Sequence, residues 1–372
     1  MQRRRFWSLC LACVTVAVAV IGLAPVRAQH SAGPIQDWEQ TGPLWAYAHP
    51  EPAQPGDTHV PQTLVRDPGI RPGETMEEVT KLWSMPGSDL QLSRLDLRCL
   101  DLTKSDWFAG DHPPMPDIMS IGPASLGEVG WSCGLCHLPN GKGRPENAPP
   151  AGQPVAYTLQ QLRDFANGLR YTSDPRKSNT HTMIRLAQEM TEEEMLESAE
   201  YFAAIPWTPW MRVIETDMVP EMELHANDMF ITVGTERTVP IGGRIVETPE
   251  NELYANYLRG SRSGWNVYVP MGSLAKGEEL VTTGGGKTVA CGVCHGPDLM
   301  GLGTMPGIAG RSPSYMMRQL WDMRQGTRKG PQAALMMPVI EQLTVEDMTN
   351  IVAYLASLMP LPGPVVPPTR MP

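Results

Sequence analysis

Cys133-Gly134-Leu135-Cys136-His137 and Cys291-Gly292-Val293-Cys294-His295 are two copies of one five-residue pattern, set 158 positions apart in a chain of 372 residues. Cys-x-x-Cys-His is the attachment signal for c-type haem. Two thiols on one helical turn can each add across one of the two haem vinyl groups. The histidine that follows is then held under the ring, where its imidazole can bind iron. A single copy has other readings, as half of a zinc site or as a thioredoxin-like redox pair. Two copies in matching surroundings point instead to two covalently bound haem c groups. Cys133, Cys136, Cys291 and Cys294 would carry them, with His137 and His295 as iron ligands.

The match runs well past the motifs. Ala151-Gly152 recurs as Ala309-Gly310. Tyr157, Gln161, Leu162, Asp164, Gly168 and Arg170 recur at the same offset as Tyr315, Gln319, Leu320, Asp322, Gly326 and Arg328. The offset then shortens by five residues, and Thr191-Glu192-Glu193-Glu194-Met195 is answered by Thr344-Val345-Glu346-Asp347-Met348. This is an internal duplication with one small indel. Both copies read as helical. Leu159, Leu162, Phe165 and Ala166 have helical spacing within 157–169, and Gly168 and Gly326 fall where such helices should stop. Thr191 with Glu194, and Thr344 with Asp347, are capping-box signatures. Met195, Ala199 and Phe202 then share one face, as do Met348, Ile351, Val352 and Leu355. Pro206 and Pro360 close the two helices.

A haem iron bound by one histidine needs a second ligand or is left open for chemistry. A soft thioether favours ferrous iron and suits an electron carrier. The chain has 23 methionines, and the duplication selects among them. Met183 and Met336 each lie eight residues before the threonine that caps the last helix of their copy, Thr191 and Thr344. They are the expected distal ligands, in a loop before that helix, with Met337 the competitor in the second copy.

On these residues each repeat resembles a class I cytochrome c domain, and the pair resembles the dihaem cytochrome c4 group. The resemblance is carried by Cys291-Gly292-Val293-Cys294-His295-Gly296, Pro306-Gly307-Ile308-Ala309-Gly310, Tyr315, Gln319-Leu320, Gly326, Arg328, Met336 and Tyr354-Leu355-Ala356-Ser357-Leu358. It covers 125–206 and 272–360, under half of the chain. It implies three main helices wrapped around each haem, and a proline, Pro306, supporting His295. A carbonyl before or at that loop would accept the His295 ring N–H. The first copy departs from the pattern with Ala148 at that position, which predicts weaker support for His137 and haems of different potential.

The fold expected is therefore mainly α, with two tandem class I cytochrome c domains at 125–206 and 272–360. A Pro-rich segment, 29–124, precedes them, and a Pro-rich tail follows at 361–372. Residues 207–271 are too long for a simple linker. The stretches 211–215, 229–233, 243–247 and 265–269 read as short strands, split by Pro220, Thr235-Glu236 and Pro240, so this segment is expected to be a small β insertion. The aromatic and Pro-rich run 106–116 reads as an arm that wraps the first haem domain or as a docking segment. Gly284-Gly285-Gly286 lacks Walker spacing and reads as a turn before the second motif.

Residues 1–28 read as a signal peptide cleaved after Ala28, with Arg3-Arg4-Arg5 ahead of the apolar run 6–23. That implies export to the periplasm. Of seven cysteines, Cys10 and Cys13 leave with the signal and four belong to the motifs, so Cys99 alone remains. The formal net charge is -10. Residues 1–28 hold four arginines and no acid, so the remainder stands at -14. Such a surface argues against nucleic acid and anionic membranes and suits a partner with a basic docking patch.

Three functions fit these features. The first is a periplasmic carrier passing single electrons between a donor dehydrogenase and a respiratory acceptor. The second is a cytochrome subunit of a dehydrogenase, or an enzyme of the peroxidase or thiosulfate dehydrogenase type, in which Cys99 would supply the thiolate. The third, a haem-based sensor, lacks a visible output domain.

Overall fold

A computed structural model of the chain describes residues 38–59, 63–64, 67–225, 229–233 and 237–369. The signal segment 1–28 and the last three residues lie outside this set. Each repeat follows the same order, with a motif helix, a long helix, a glycine stop, a methionine segment and a capped last helix. In the first repeat these are Cys133–His137, Val155–Ala166, Ser178–Glu189 and Glu192–Ala203. In the second they are Gly292–His295, Pro313–Arg324, the two turns Pro331–Ala334 and Met337–Ile340, and Val345–Ser357. Gly168 (φ 68°) and Gly326 (φ 72°) stand just past the long helices in the left-handed conformation that glycine tolerates. Both capping boxes form, Thr191 with Glu194 and Thr344 with Asp347.

The second repeat has a further helix, Ser273–Thr283, laid along Val345–Ser357. Gly277 permits this approach, since a Cβ there would run into the Asn350 carbonyl oxygen. The helix ends at Gly284, and Gly284, Gly285 and Gly286 all have positive φ as the chain turns into the motif. In the first repeat a single turn, Asp117–Ser120, packs on the last helix and on the motif in that place.

The segment before the repeats contacts both of them, not the first alone. Its turn Leu44–Tyr47 packs on Pro313–Arg324 of the second repeat. There Arg318 donates to the Ala46 carbonyl at 2.6 Å and Tyr47 donates its hydroxyl proton to the Asp322 carboxylate at 2.6 Å. Further on, Trp107 and Phe108 enter a core with Met85, Leu97 and Leu258, and the Trp107 ring N–H bonds the Leu258 carbonyl at 2.7 Å. Met119 and Leu102 rest on the first motif helix at Gly134.

Between the repeats, Trp265–Val269 is the middle strand of three, parallel to Met211–Glu215 and antiparallel to Val246–Pro249. All five of its residues are buried, which explains its nearly unbroken apolar sequence. Two ribbons are added, Met218–Pro220 with Thr238–Pro240 and Met222–His225 with Met229–Thr232. Strands 211–215 and 265–269 have the expected limits. The one expected at 243–247 begins three residues later, because Gly242 (φ 62°) turns the chain there. Pro220 and Pro240, expected to break strands, instead sit at the ends of a two-stranded ribbon, where proline is tolerated. The tail returns to this insertion, and Arg212 binds the carbonyls of Leu361, Pro362 and Gly363.

Candidate haem sites

In each repeat the motif forms a single helical turn that carries both thiols and the imidazole. None of the four motif cysteines is in a disulfide. Burial pushes the Cys133 thiol up to about 12 and the Cys291 thiol up to about 11. Among the described residues, no group of three or more His, Cys, Asp or Glu side chains could hold a metal ion, which leaves the zinc reading without its other half.

The His137 Nδ1–H donates to the Ala148 carbonyl at 2.8 Å, and the His295 Nδ1–H donates to the Pro306 carbonyl at 2.7 Å. Each acceptor lies 11 residues after its histidine. With the proton fixed on Nδ1, Nε2 keeps the lone pair that a metal needs. Burial also lowers both imidazole pKa values and keeps the rings neutral. The expectation that His137 is less well supported is corrected here. The acceptor is a main-chain carbonyl, which alanine offers as well as proline. Its loop is held from both sides, because Asn147 donates to the Cys136 carbonyl at 3.1 Å and accepts from Asn179 at 2.7 Å.

Met183 lies inside the helix Ser178–Glu189 rather than in a loop. It is half-buried and packs on the small core of Leu162, Ala187 and Met195. Met336 is the half-buried joint between the turns Pro331–Ala334 and Met337–Ile340, packed on the main core together with Cys291. Its neighbour Met337 is exposed. His112 has both ring nitrogens engaged, by the Asp106 carboxylate at 2.7 Å and the Pro113 carbonyl at 2.8 Å. Cys99 is half-buried at the end of the turn Asp96–Arg98.

The two repeats meet through equivalent residues. Arg170 donates to the Tyr315 hydroxyl at 3.3 Å and to Gln319 at 2.7 Å; Arg328 donates to the Tyr157 hydroxyl at 3.1 Å and to Gln161 at 2.9 Å. The Tyr171 N–H bonds the Thr327 carbonyl at 2.8 Å, and the Lys329 N–H bonds the Leu169 carbonyl at 2.8 Å. Gln153 bonds both backbone groups of Gly307, each at 2.9 Å, while Arg311 reaches the Pro149 carbonyl at 2.5 Å. The duplication is thus clasped about a local dyad. The repeated Tyr, Gln and Arg positions were visible in the sequence, but not that each set binds the other.

This clasp is rich in buried positive charge. Arg170, Arg311 and Arg328 are all buried, and among the described residues none pairs with a carboxylate. Among the described residues, the Nε atoms of Arg311 and Arg328 find no hydrogen-bond partner. Burial draws the Arg311 guanidinium down to about 9. Burial alone would raise the Tyr315 hydroxyl, yet Arg170, Arg328 and Arg311 outweigh it and hold it below its usual value. Buried unpaired cations are costly, and carboxylate groups would relieve them. Haem carries two propionates, so the residues present fit the group: cysteines to bond it, an oriented imidazole to ligate it, and buried guanidiniums to neutralise it.

Two helical repeats, each presenting two cysteines and an oriented imidazole on one turn, define a protein with two covalently bound haem c groups. The family model for cytochrome c matches residues 274–359. Cytochrome c-554(548) of Halomonas halodenitrificans is 38% identical over 87 residues, spanning 23% of this chain and 96% of its own length. A thiosulfate dehydrogenase electron acceptor of Thiomonas intermedia is 24% identical over 265 residues, 67% of this chain and 93% of its own. Among solved structures, Acidithiobacillus ferrooxidans cytochrome c4 is 21% identical, covering 60% of this chain and 98% of its own, with a TM-score of 0.38. The chain belongs to the cytochrome c family.

Proposed function

We propose that this chain is a periplasmic dihaem c-type cytochrome that passes single electrons between a donor dehydrogenase and a respiratory acceptor. The observation that carries this reading is the reciprocal clasp, which joins two motif-bearing repeats at equivalent residues. Bound haem supplies a one-electron ferric/ferrous couple. The chain would attach one group through Cys133 and Cys136 and the other through Cys291 and Cys294, and fix each imidazole by an Nδ1–H bond to a carbonyl.

We take Met183 and Met336 as the distal ligands. For the second site, the half-buried position of Met336 supports it over exposed Met337. We take 125–206 and 272–360 as the haem domains, 29–124 as the arm, 207–271 as the insertion, 361–372 as the tail and 1–28 as a cleaved export signal. A relative named as a thiosulfate dehydrogenase electron acceptor supports a dehydrogenase as donor.

Optical and magnetic spectroscopy of the oxidised holoprotein tests the reading. Two low-spin His/Met irons are expected, with Met183→Ala and Met336→Ala each disturbing one. A high-spin iron, or a thiolate-ligated iron lost in Cys99→Ala, would overturn it in favour of an enzyme.

A further inference from the structure

Four parts of the chain meet around a cavity of about 30 Å3, enough for one water molecule or two. Trp45 of the arm, Glu146 of the loop after the first motif, Glu247 of the insertion and Arg318 of the second repeat bring polar groups to its lining. No cysteine, histidine or methionine assigned to the haems lines it. The Glu146 side chain is only 1% exposed. Among the described residues, neither of its oxygens finds a hydrogen-bond partner, and nor does the Trp45 ring N–H. The Arg144 Nε stands 3.5 Å from Glu146, beyond a good hydrogen bond. Polar groups buried in this way are costly. A water relieves them where several polar groups converge, as they do here.

Glu247 is buried on the opposite part of the lining. It accepts from the Ser312 hydroxyl at 2.8 Å and from the Ser314 N–H at 3.0 Å. Arg318 directs its hydrogen bonds elsewhere, to the Ala46 carbonyl at 2.6 Å and the Pro145 carbonyl at 2.9 Å. Burial raises the Glu247 pKa and outweighs the bonds from Ser314 and Ser312 and the charge of Arg318. The other charged groups near this junction are Glu146 with Arg144, Asp322, which feels the Arg318 charge, and Arg244, which donates to the Pro240 carbonyl at 3.4 Å. The cavity also borders the support of an iron ligand. Pro145 and Glu146 lead into Ala148, whose carbonyl holds the His137 Nδ1–H. A carboxylic acid in so dry a setting is sensitive to charge placed beyond that loop.

We infer that this cavity is a buried water and proton site, in which a water held by Trp45 and Glu146 serves Glu247, and Glu247 takes up a proton when a haem takes up an electron. The inference rests on the electron-carrier reading and adds a proton to it. The electron comes from the donor protein and lowers the positive charge of one haem. The proton comes from solvent through the cavity water and forms an O–H bond on the Glu247 carboxylate. Oxidation reverses both steps: the electron leaves for the acceptor, the O–H bond breaks and the proton returns to solvent. Glu146 is the acceptor through which the water passes that proton outward.

The test uses the holoprotein throughout. Reduced-minus-oxidised infrared difference spectra read a protonated carboxyl group through its C=O stretch. Reduction should produce such a band, which shifts in D2O and is lost in Glu247→Gln. Glu279→Gln, at an exposed acid of the second repeat, should keep it. Glu146→Gln should slow the exchange of the band in D2O at least threefold. Redox titration at a series of pH values gives the second readout. The proton affinity of Glu247 should be at least threefold greater in the reduced protein, so the potential of at least one haem falls as pH rises between the two affinities. Glu247→Gln should flatten that fall. Ser312→Ala removes a bond that favours the carboxylate and should move the fall to higher pH, which keeps the test open even if Glu247→Gln does not fold. The inference is overturned if reduction gives no carboxylic acid band, if the band survives Glu247→Gln or is lost equally in Glu279→Gln, if Glu146→Gln exchanges at the parent rate, or if Ser312→Ala leaves the pH dependence in place. In each of those cases reversible reduction of both haems leaves the electron-carrier reading standing. Failure of the parent haems to cycle between their two states would sink that reading itself.

Discussion

At the scale of single residues, the two motif glycines give the cleanest contrast. They are equivalent in sequence, but the first is walled in and the second is open. Gly134→Ala should destabilise the holoprotein by about 1–3 kcal/mol through overpacking, and Gly292→Ala should change it by no more than about 0.5 kcal/mol; thermal unfolding of the two variants measures this. His112 gives a pH dependence. Burial opposes its charged form, but the Asp106 carboxylate and the Pro113 carbonyl outweigh that and raise its pKa above the ordinary 6.5. A raised histidine pKa stabilises the fold fully below the unfolded value, and the contribution is lost as pH rises through the folded value. The stability advantage of the parent over His112→Gln should therefore shrink as pH climbs above 6.5, as denaturant unfolding across that range would show. Cysteines and histidines of the sites were legible because haem attachment needs side chains at fixed spacing. The support for His137 was not, because it comes from a main-chain carbonyl that any residue carries.

At the scale of elements, the duplication made the helices readable. Each capping box and each glycine stop appeared twice and formed twice. Thr191→Ala and Thr344→Ala should each cost about 1 kcal/mol, since each side chain accepts a bond from an N–H of the first helical turn. Gly277→Ala should cost more than either, about 3 kcal/mol, because the added methyl meets backbone rather than a movable side chain. Chemical denaturation of the three variants would rank them. The strands of the insertion were only half legible. Strongly apolar runs such as 265–269 announced themselves, while the ribbon containing Pro220 and Pro240 did not, because proline's tolerance depends on whether a second neighbour is present. The methionine segment of the first repeat was misread in kind, since a helix stands where the second repeat has two turns.

At the scale of the whole molecule, the positive charge buried in the clasp should act on the haems. Buried guanidiniums disfavour the ferric state, which carries one more positive charge. Arg328→Gln should therefore lower the midpoint potential of at least one haem. A shift of about 59 mV would mean a tenfold change in the balance of its two redox states, and spectroelectrochemical titration reads it directly. No composition rule or periodicity could have exposed this charge, because it follows from which surfaces of the two copies face each other.

The clasp also settles a matter of stoichiometry. A contact between equivalent surfaces is the kind that normally holds a dimer of two identical chains, and such a dimer comes apart on dilution. Here both halves are fused, so their mutual concentration is set by the 207–271 segment and not by how much protein the compartment holds. Because a dyad is closed once its two halves have met, that face has no free end left to recruit a third copy. The pairing of the two haem repeats is thus a property of every single chain, as complete in one isolated molecule as in a crowded solution.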